Sequence, residues 1–183
     1  MTKSPFLLNR RTILFGASAL VLAACAGVPP DPAPPTVPVT LTEAFVGRST
    51  GTGLFRVWLT GDERRFSAKL NGTLSKGGNR LTVVEDFVYD DGEKNRLTWV
   101  FDRSGPGTWT GKREDTVGVA QVVEADDVVR LTYTADFASP SGVTRLGFAD
   151  VIYRRPDGVI VNDAVVSRTG IPVGAVQFVI QPR

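Results

Sequence analysis

The 183-residue chain contains no histidine and a single cysteine. Without histidine there is no Ser-His-Asp or Cys-His nucleophile system and no histidine-based zinc site. A lone Cys25 cannot close an internal disulfide. No basic run stands out that would suit nucleic acid or a polyanionic surface, so no nucleic-acid partner is expected. The acidic clusters Asp90-Asp91-Gly92-Glu93 and Asp126-Asp127 fall on turns and lack the ligand spacing of a calcium loop. Neither a metal nor a cofactor is expected. What chemistry remains would rest on carboxylate pairs, lysine or tyrosine, and the expectation is a protein that is not an enzyme.

The single cysteine has a context. Lys3, Arg10 and Arg11 form a positive n-region, and residues 13–24 (ILFGASALVLAA) form an apolar stretch. At 1.5 Å per residue that stretch covers about 18 Å, short of the roughly 30 Å hydrocarbon core of a bilayer. It reads as a signal segment, 1–24, instead of a spanning helix. It ends in Leu22-Ala23-Ala24-Cys25, which looks like a lipobox, with Cys25 as the lipidated first residue of the mature chain. Acyl chains each contribute about 0.8 kcal/mol per buried CH₂, and two or more hold a protein stably on a membrane. Asn9-Arg10-Arg11-Thr12-Ile13-Leu14 fits either a twin-arginine export signal or an ordinary n-region. Ala26, in place of an aspartate after the cysteine, points to the outer membrane, facing the periplasm. Loss of residues 1–24 removes three bases and leaves 18 basic against 19 acidic residues, a net charge of −1.

Residues 25–42 follow as the lipidated cysteine and a Pro-rich tether, with six of the twelve prolines between positions 26 and 42. Proline fixes φ and removes donors, so a polyproline-II spacer lifting the domain off the bilayer is expected. Residues 43–183 form one domain of ordinary single-core size. Turn chemistry recurs through it: Gly61-Asp62, Gly77-Gly78-Asn79, Asp91-Gly92, Gly105-Pro106-Gly107, Pro140-Ser141-Gly142 and Pro156-Asp157-Gly158. Between these marks, Val, Thr, Phe, Tyr and Trp alternate with period two. About ten strands are predicted, over 52–60, 64–75, 80–90, 94–103, 107–114, 116–125, 128–138, 143–155, 158–168 and 173–181, the sixth able to merge with its neighbour. Residues 41–47 offer one short helical turn. Long strands with short turns and no intervening helices predict an all-β fold, an antiparallel up-and-down β-barrel of about 8–10 strands, lipocalin-like, with a β-sandwich as the runner-up. Charged residues on one phase, such as Lys69, Arg130 and Asp136, argue against a membrane-spanning barrel.

Glu85 shares its strand face with Leu81, Val83, Phe87 and Tyr89. An ionised carboxylate on an apolar face is costly unless paired or hydrogen-bonded. It is either a structural ion pair with an arginine of a neighbouring strand or the polar anchor of a ligand cavity. Asp150, beside Phe148 and Ile152, raises the same question. Trp99, Phe101, Tyr133 and Phe137 fall on apolar phases and read as core or as cavity lining. The candidate ligand-binding set is Glu85, Phe87, Trp99, Tyr133 and Asp150.

The stretch Glu85-Asp86-Phe87-Val88-Tyr89-Asp90-Asp91-Gly92 with Arg96 and Trp99 resembles a motif of an uncharacterised family of bacterial lipoproteins about 180 residues long. Gly111, Asp115-Thr116-Val117-Gly118, Phe148-Ala149-Asp150-Val151-Ile152-Tyr153, Asn162 and Gly170-Ile171-Pro172-Val173-Gly174 extend the resemblance over most of the domain. It implies a lipid-anchored single domain and no catalytic residues. The family carries a Trp or Met near position 150 where this chain has Val151 and Ile152. The function these readings lead to is binding of an apolar or amphipathic ligand, such as a lipid, inside the barrel. The alternative is a filled barrel acting as an interaction or structural module with an envelope protein partner.

Overall fold

The computed structural model describes residues 27, 29–32, 36–139 and 142–182. Ten antiparallel strands close into a barrel in which every strand pairs with its chain neighbour and β10 (Ile171–Pro182) closes on β1 (Gly47–Val57). Closure leaves no free sheet edge, so the sandwich alternative is set aside. Between these two lie β2 (Glu63–Ser75), β3 (Arg80–Tyr89), β4 (Lys94–Gly105), β5 (Thr108–Lys112), β6 (Ala120–Ala125), β7 (Val128–Ser139), β8 (Gly142–Arg154) and β9 (Ile160–Arg168). Two predicted strands shift. The first begins at Gly47, not 52, and Trp58-Leu59-Thr60 turn the hairpin. The sixth begins at Ala120, not 116, and stays separate from β5, because Thr116 and Val117 bond instead to β7 at Ala135 and Thr134.

The period-two alternation sorts side chains into an inside and an outside. Leu81, Val83, Trp99, Phe101, Trp109, Val122, Leu131, Ile152, Phe178 and Ile180 form the core. The outer face carries directly opposed ion pairs, Asp86 with Arg96, Arg80 with Asp102, Asp136 with Arg145 and Arg56 with Glu63. A wall of paired charges has no continuous apolar band of the kind a lipid-facing barrel needs. Among the described residues no helix is long and apolar enough to cross a membrane.

The two ends of the barrel differ. At the end where β1 starts and β10 stops, the predicted helical turn is α1 (Leu41–Phe45), held by a capping box between Thr40 and Glu43. Its Leu41 and Ala44 enter the core, so α1 plugs this end. Glu124 fixes the plug, its Oε1 accepting from Leu41 N at 2.8 Å and from Trp109 Nε1 at 3.0 Å. Gly72 lets the plug seat: any Cβ there would overlap the carbonyl oxygen of Phe45. Gly72→Ala should therefore lower stability by about 3 kcal/mol, the upper range for overpacking against a fixed neighbour. A thermal melt of that variant checks it, and a wild-type midpoint would show that α1 yields easily.

The Pro-rich segment does not stand off as a spacer over its described residues. Pro29 is buried, Asp31 pairs with Arg130 of β7 at 2.6 Å, and Val37 bonds to Arg154 at the end of β8. Proline supplies few donors for solvent and packs well along a strand face, which favours laying the segment on the wall. Cys25 and the signal segment 1–24 lie outside the described residues, as does Pro140-Ser141 of the β7–β8 turn.

Candidate functional site

Inside the barrel a cavity of about 100 Å³ is lined by aromatic rings and a few polar side chains. Phe66, Phe87 and Phe178 form one aromatic cluster, with centroids 5.2 to 6.4 Å apart. Trp99 stands edge-on to Tyr133 at 5.1 Å, and Tyr133 stacks on Phe148 at 4.7 Å. Such contacts make rigid walls and fix ring orientation. Glu85, Arg113, Asp150 and Asn162 are the polar lining.

All five predicted site residues line this one cavity. Glu85 points inward from β3 and Asp150 from β8, strands that are five steps apart in either direction around the barrel. Both are deeply buried, at 6% and 5% exposure. Phe101 is core as read, but Phe137 is a correction, because it is 43% exposed at the far end of β7, where the inward phase runs out of the barrel. The expected ion pair of Glu85 with a neighbouring strand is also absent among the described residues. The compensating cation is instead Arg113, in the connection after β5.

Arg113 reaches the interior because β5 and β6 are short. They leave the upper half of β4 unpaired toward β7, and residues 113–119 occupy the gap. Thr98 N there donates to the Glu114 carboxylate at 2.7 Å in place of a strand partner. The guanidinium lies against both Trp99 and Tyr133, 4.8 and 5.2 Å from their ring centres, as cation–π contacts. Its Nε and Nη2 donate to Asp115 at 2.7 and 2.9 Å, a bidentate pair. Only 8% of the side chain is exposed.

Burial sets the electrostatics. It pushes Glu85 up to about 7, opposed by the positive charge of Arg113 and reinforced by Asp150. Burial pushes Asp150 up to about 7 as well, against the pull of the Asn162 hydrogen bond and Arg113. Burial also disfavours the charge on Arg113, but Tyr133, Asp115 and Glu85 outweigh it and hold the guanidinium protonated. The Tyr133 phenol is pushed up, chiefly by burial, and stays neutral. Asn162 Nδ2 donates to Asp150 Oδ2 at 2.9 Å, which leaves Asp150 Oδ1 and Asn162 Oδ1 buried with no partner. Buried acceptors are normally satisfied, so two together mark a place where a donor is missing. No group of three or more acidic residues with metal-site geometry occurs among the described residues.

The sequence reading missed Arg113. It stands in Lys112-Arg113-Glu114-Asp115, which carries every mark of a solvated turn, and only the shortness of β5 and β6 turns it inward. Asn162 was seen as part of a motif but not as the partner of Asp150.

A family model described as protein of unknown function (DUF3833) matches residues 19–182. The chain belongs to this family. The match spans the whole barrel and its strap, and with it the resemblance read from the sequence is confirmed at the level of the domain. No curated protein matches the chain. Among solved structures, the S-type phycobiliprotein lyase CPES from Guillardia theta is similar, with a TM-score of 0.57 and 10% identity over 77% of this chain and 89% of that one. At that identity the likeness shows the barrel fold alone.

Proposed function

We propose that this member of the family is an acyl-anchored lipoprotein of the outer membrane, facing the periplasm, whose barrel binds a small amphipathic ligand by a hydrogen-bond-donating head group. The observation that carries the binding reading is the pair of unpartnered buried acceptors, Asp150 Oδ1 and Asn162 Oδ1, on two residues that line an aromatic cavity. Similarity of the barrel to that of a phycobiliprotein lyase supports a barrel able to admit a small molecule.

Charge selects the head group. Arg113 is already neutralised by Asp115, while Glu85 and Asp150 titrate near neutrality. An anionic head would add a buried negative charge without a free cation, which is costly. A hydroxyl or amine donates to the two acceptors and fits. The cavity of about 100 Å³ has the volume of about three waters, enough for such a head. The apolar remainder of the ligand would run along Phe66, Phe87 and Phe148.

A displacement series with long-chain alcohol, amine and carboxylate probes, read through Trp99 emission, tests this. The alcohol and amine should bind and the carboxylate should not. Amine binding should tighten as pH rises through about 7, because Asp150 then ionises and pairs with the ammonium. Preference for the carboxylate would overturn the head-group reading. The same two carboxyls also suit a proton relay, groups near neutrality being efficient acids and bases. Recovery of a chemically altered ligand would favour that second reading, turnover, over simple binding.

The anchor is tested separately. Cys25→Ser should remain an uncleaved or soluble chain, and normal acylated membrane retention of that variant would overturn the lipoprotein assignment. The filled-barrel alternative with an envelope protein partner is favoured only if no probe enters.

A further inference from the structure

Most of the large apolar side chains exposed to water lie toward one end of the barrel, with Val46, Leu74 and Val123 at the other. Trp58 and Leu59 sit on the β1–β2 turn, Val117 and Val119 on the β5–β6 connection, Val143 at the start of β8 and Ile171 at the start of β10. Their exposures run from 37% to 93%, and all lie opposite the end that α1 plugs. Scattered single apolar residues are normal on a surface. Six gathered on four of the five connections at one rim are a patch that marks an interaction site.

The path of the N-terminal strap shows what covers that rim. The strap runs backward from α1 along the outer wall, past Val37 at Arg154 and Asp31 at Arg130. Pro29 and Pro30 then lie in a groove with Leu54, Arg56 and Trp58, toward the end opposite α1. Gly27 reaches Pro172, one residue beyond Ile171, with a Cβ built on Gly27 falling 3.8 Å from Pro172 Cγ. Cys25 is two residues further, and two residues span at most about 7 Å. The apolar stretch 13–24 immediately precedes it. The described chain therefore begins, at Gly27, beside the apolar rim opposite α1.

We infer that the end of the barrel opposite α1 docks on a lipid bilayer, with Trp58, Leu59, Val117, Val119, Val143 and Ile171 entering the interfacial layer. The inference rests on the membrane-anchored reading for its N-terminal attachment and goes beyond it in orienting the domain. Trp favours the membrane interface, where its ring is apolar and its N–H is wet. The remaining connection at this end, Asp90-Asp91-Gly92-Glu93, is charged and pairs with Arg64. It stays in water, so the barrel axis tilts away from the membrane normal. A short attachment point at the rim makes docking effectively intramolecular, so a modest patch suffices.

Trp58 is the built-in probe, since Trp99 and Trp109 are buried in the barrel. The full-length protein is reconstituted into phosphatidylcholine vesicles with brominated acyl chains, and its emission is compared with that in unbrominated vesicles. Bromine should quench wild type strongly, Trp58→Phe should lose that quenching, and Leu59→Asp with Ile171→Asp should weaken it. Protein that floats with the vesicles but shows no quenching, or a Trp58→Phe variant quenched as much as wild type, would overturn the docking. Anchoring is read independently, from flotation and the acylated mass of the chain. A chain that proves not to be acylated removes the lipoprotein reading, while quenching through Trp58 on whatever holds the chain to the vesicle still supports the docked orientation.

Discussion

Replacing Glu85 with glutamine will raise the thermal midpoint of the protein at pH 8 and leave it little changed at pH 5. Glu85 titrates near 7 in the folded barrel and near its ordinary value when unfolded. Below the unfolded value both states hold the proton and the group contributes nothing to the pH dependence. Between the two values the unfolded chain has released the proton and the folded one has not, so stability falls as pH rises. Above about 7 the loss is complete and reaches at most about 3 kcal/mol. Asp150 adds a second loss of the same sign over the same window. Glutamine keeps the shape and removes the titration, and the expected gain is about 5–10 °C at pH 8 for a domain of this size. Wild type should melt several degrees lower at pH 8 than at pH 5, and the variant should fall by clearly less, keeping only the part of the loss that Asp150 causes. A wild-type midpoint that does not fall over this range would mean that the carboxyls are solvated and the cavity is wet.

Arg113→Met will act in the opposite direction to Glu85→Gln and deepen the fall of stability with rising pH. Methionine occupies much of the stem volume beside Trp99 and Tyr133 but carries no charge. Removing the cation leaves Glu85 and Asp150 without the positive charge that holds them down. Breaking a buried ionic arrangement from one side costs about 3–5 kcal/mol when the remaining charge cannot reach water. Here the charge can be neutralised by protonation, so the cost should be small at pH 5 and approach that range at pH 8. The same variant opens the gap between β4 and β7 and should weaken probe uptake. Equal destabilisation at both pH values would show that Arg113 acts only through packing. The double variant Glu85→Gln with Arg113→Met should recover part of the loss at pH 8, because the carboxyl that needed the cation is gone.

The barrel was legible because its information is local. Alternation along Leu81 to Tyr89 or Leu131 to Phe137 sets which side chains turn inward, and Gly and Pro at the turns set where the chain reverses. Glu85 betrayed the site because a carboxylate breaks an otherwise apolar phase. Arg113 did not, because its position depends on β5 and β6 ending early, a feature of pairing partners remote in sequence. Phe137 was misplaced for a related reason: alternation gives direction but not depth, and the inward phase of β7 continues past the last layer of core. The course of the strap was likewise hidden. Proline content predicts an extended segment, while contacts of Asp31 with Arg130 and Val37 with Arg154 decide that it lies on the wall. That course brings Gly27 to Pro172, at the rim opposite α1.

The most direct test of a ligand-holding barrel is native mass spectrometry of the full-length protein, extracted from membranes in mild detergent. The account predicts a one-to-one adduct with an amphipathic small molecule bearing a hydroxyl or amine, reduced in Asp150→Leu and in Arg113→Met. A clean unliganded mass under the same gentle conditions, with no uptake of added long-chain alcohols or amines, would contradict it and leave a filled barrel whose work is done at its surface.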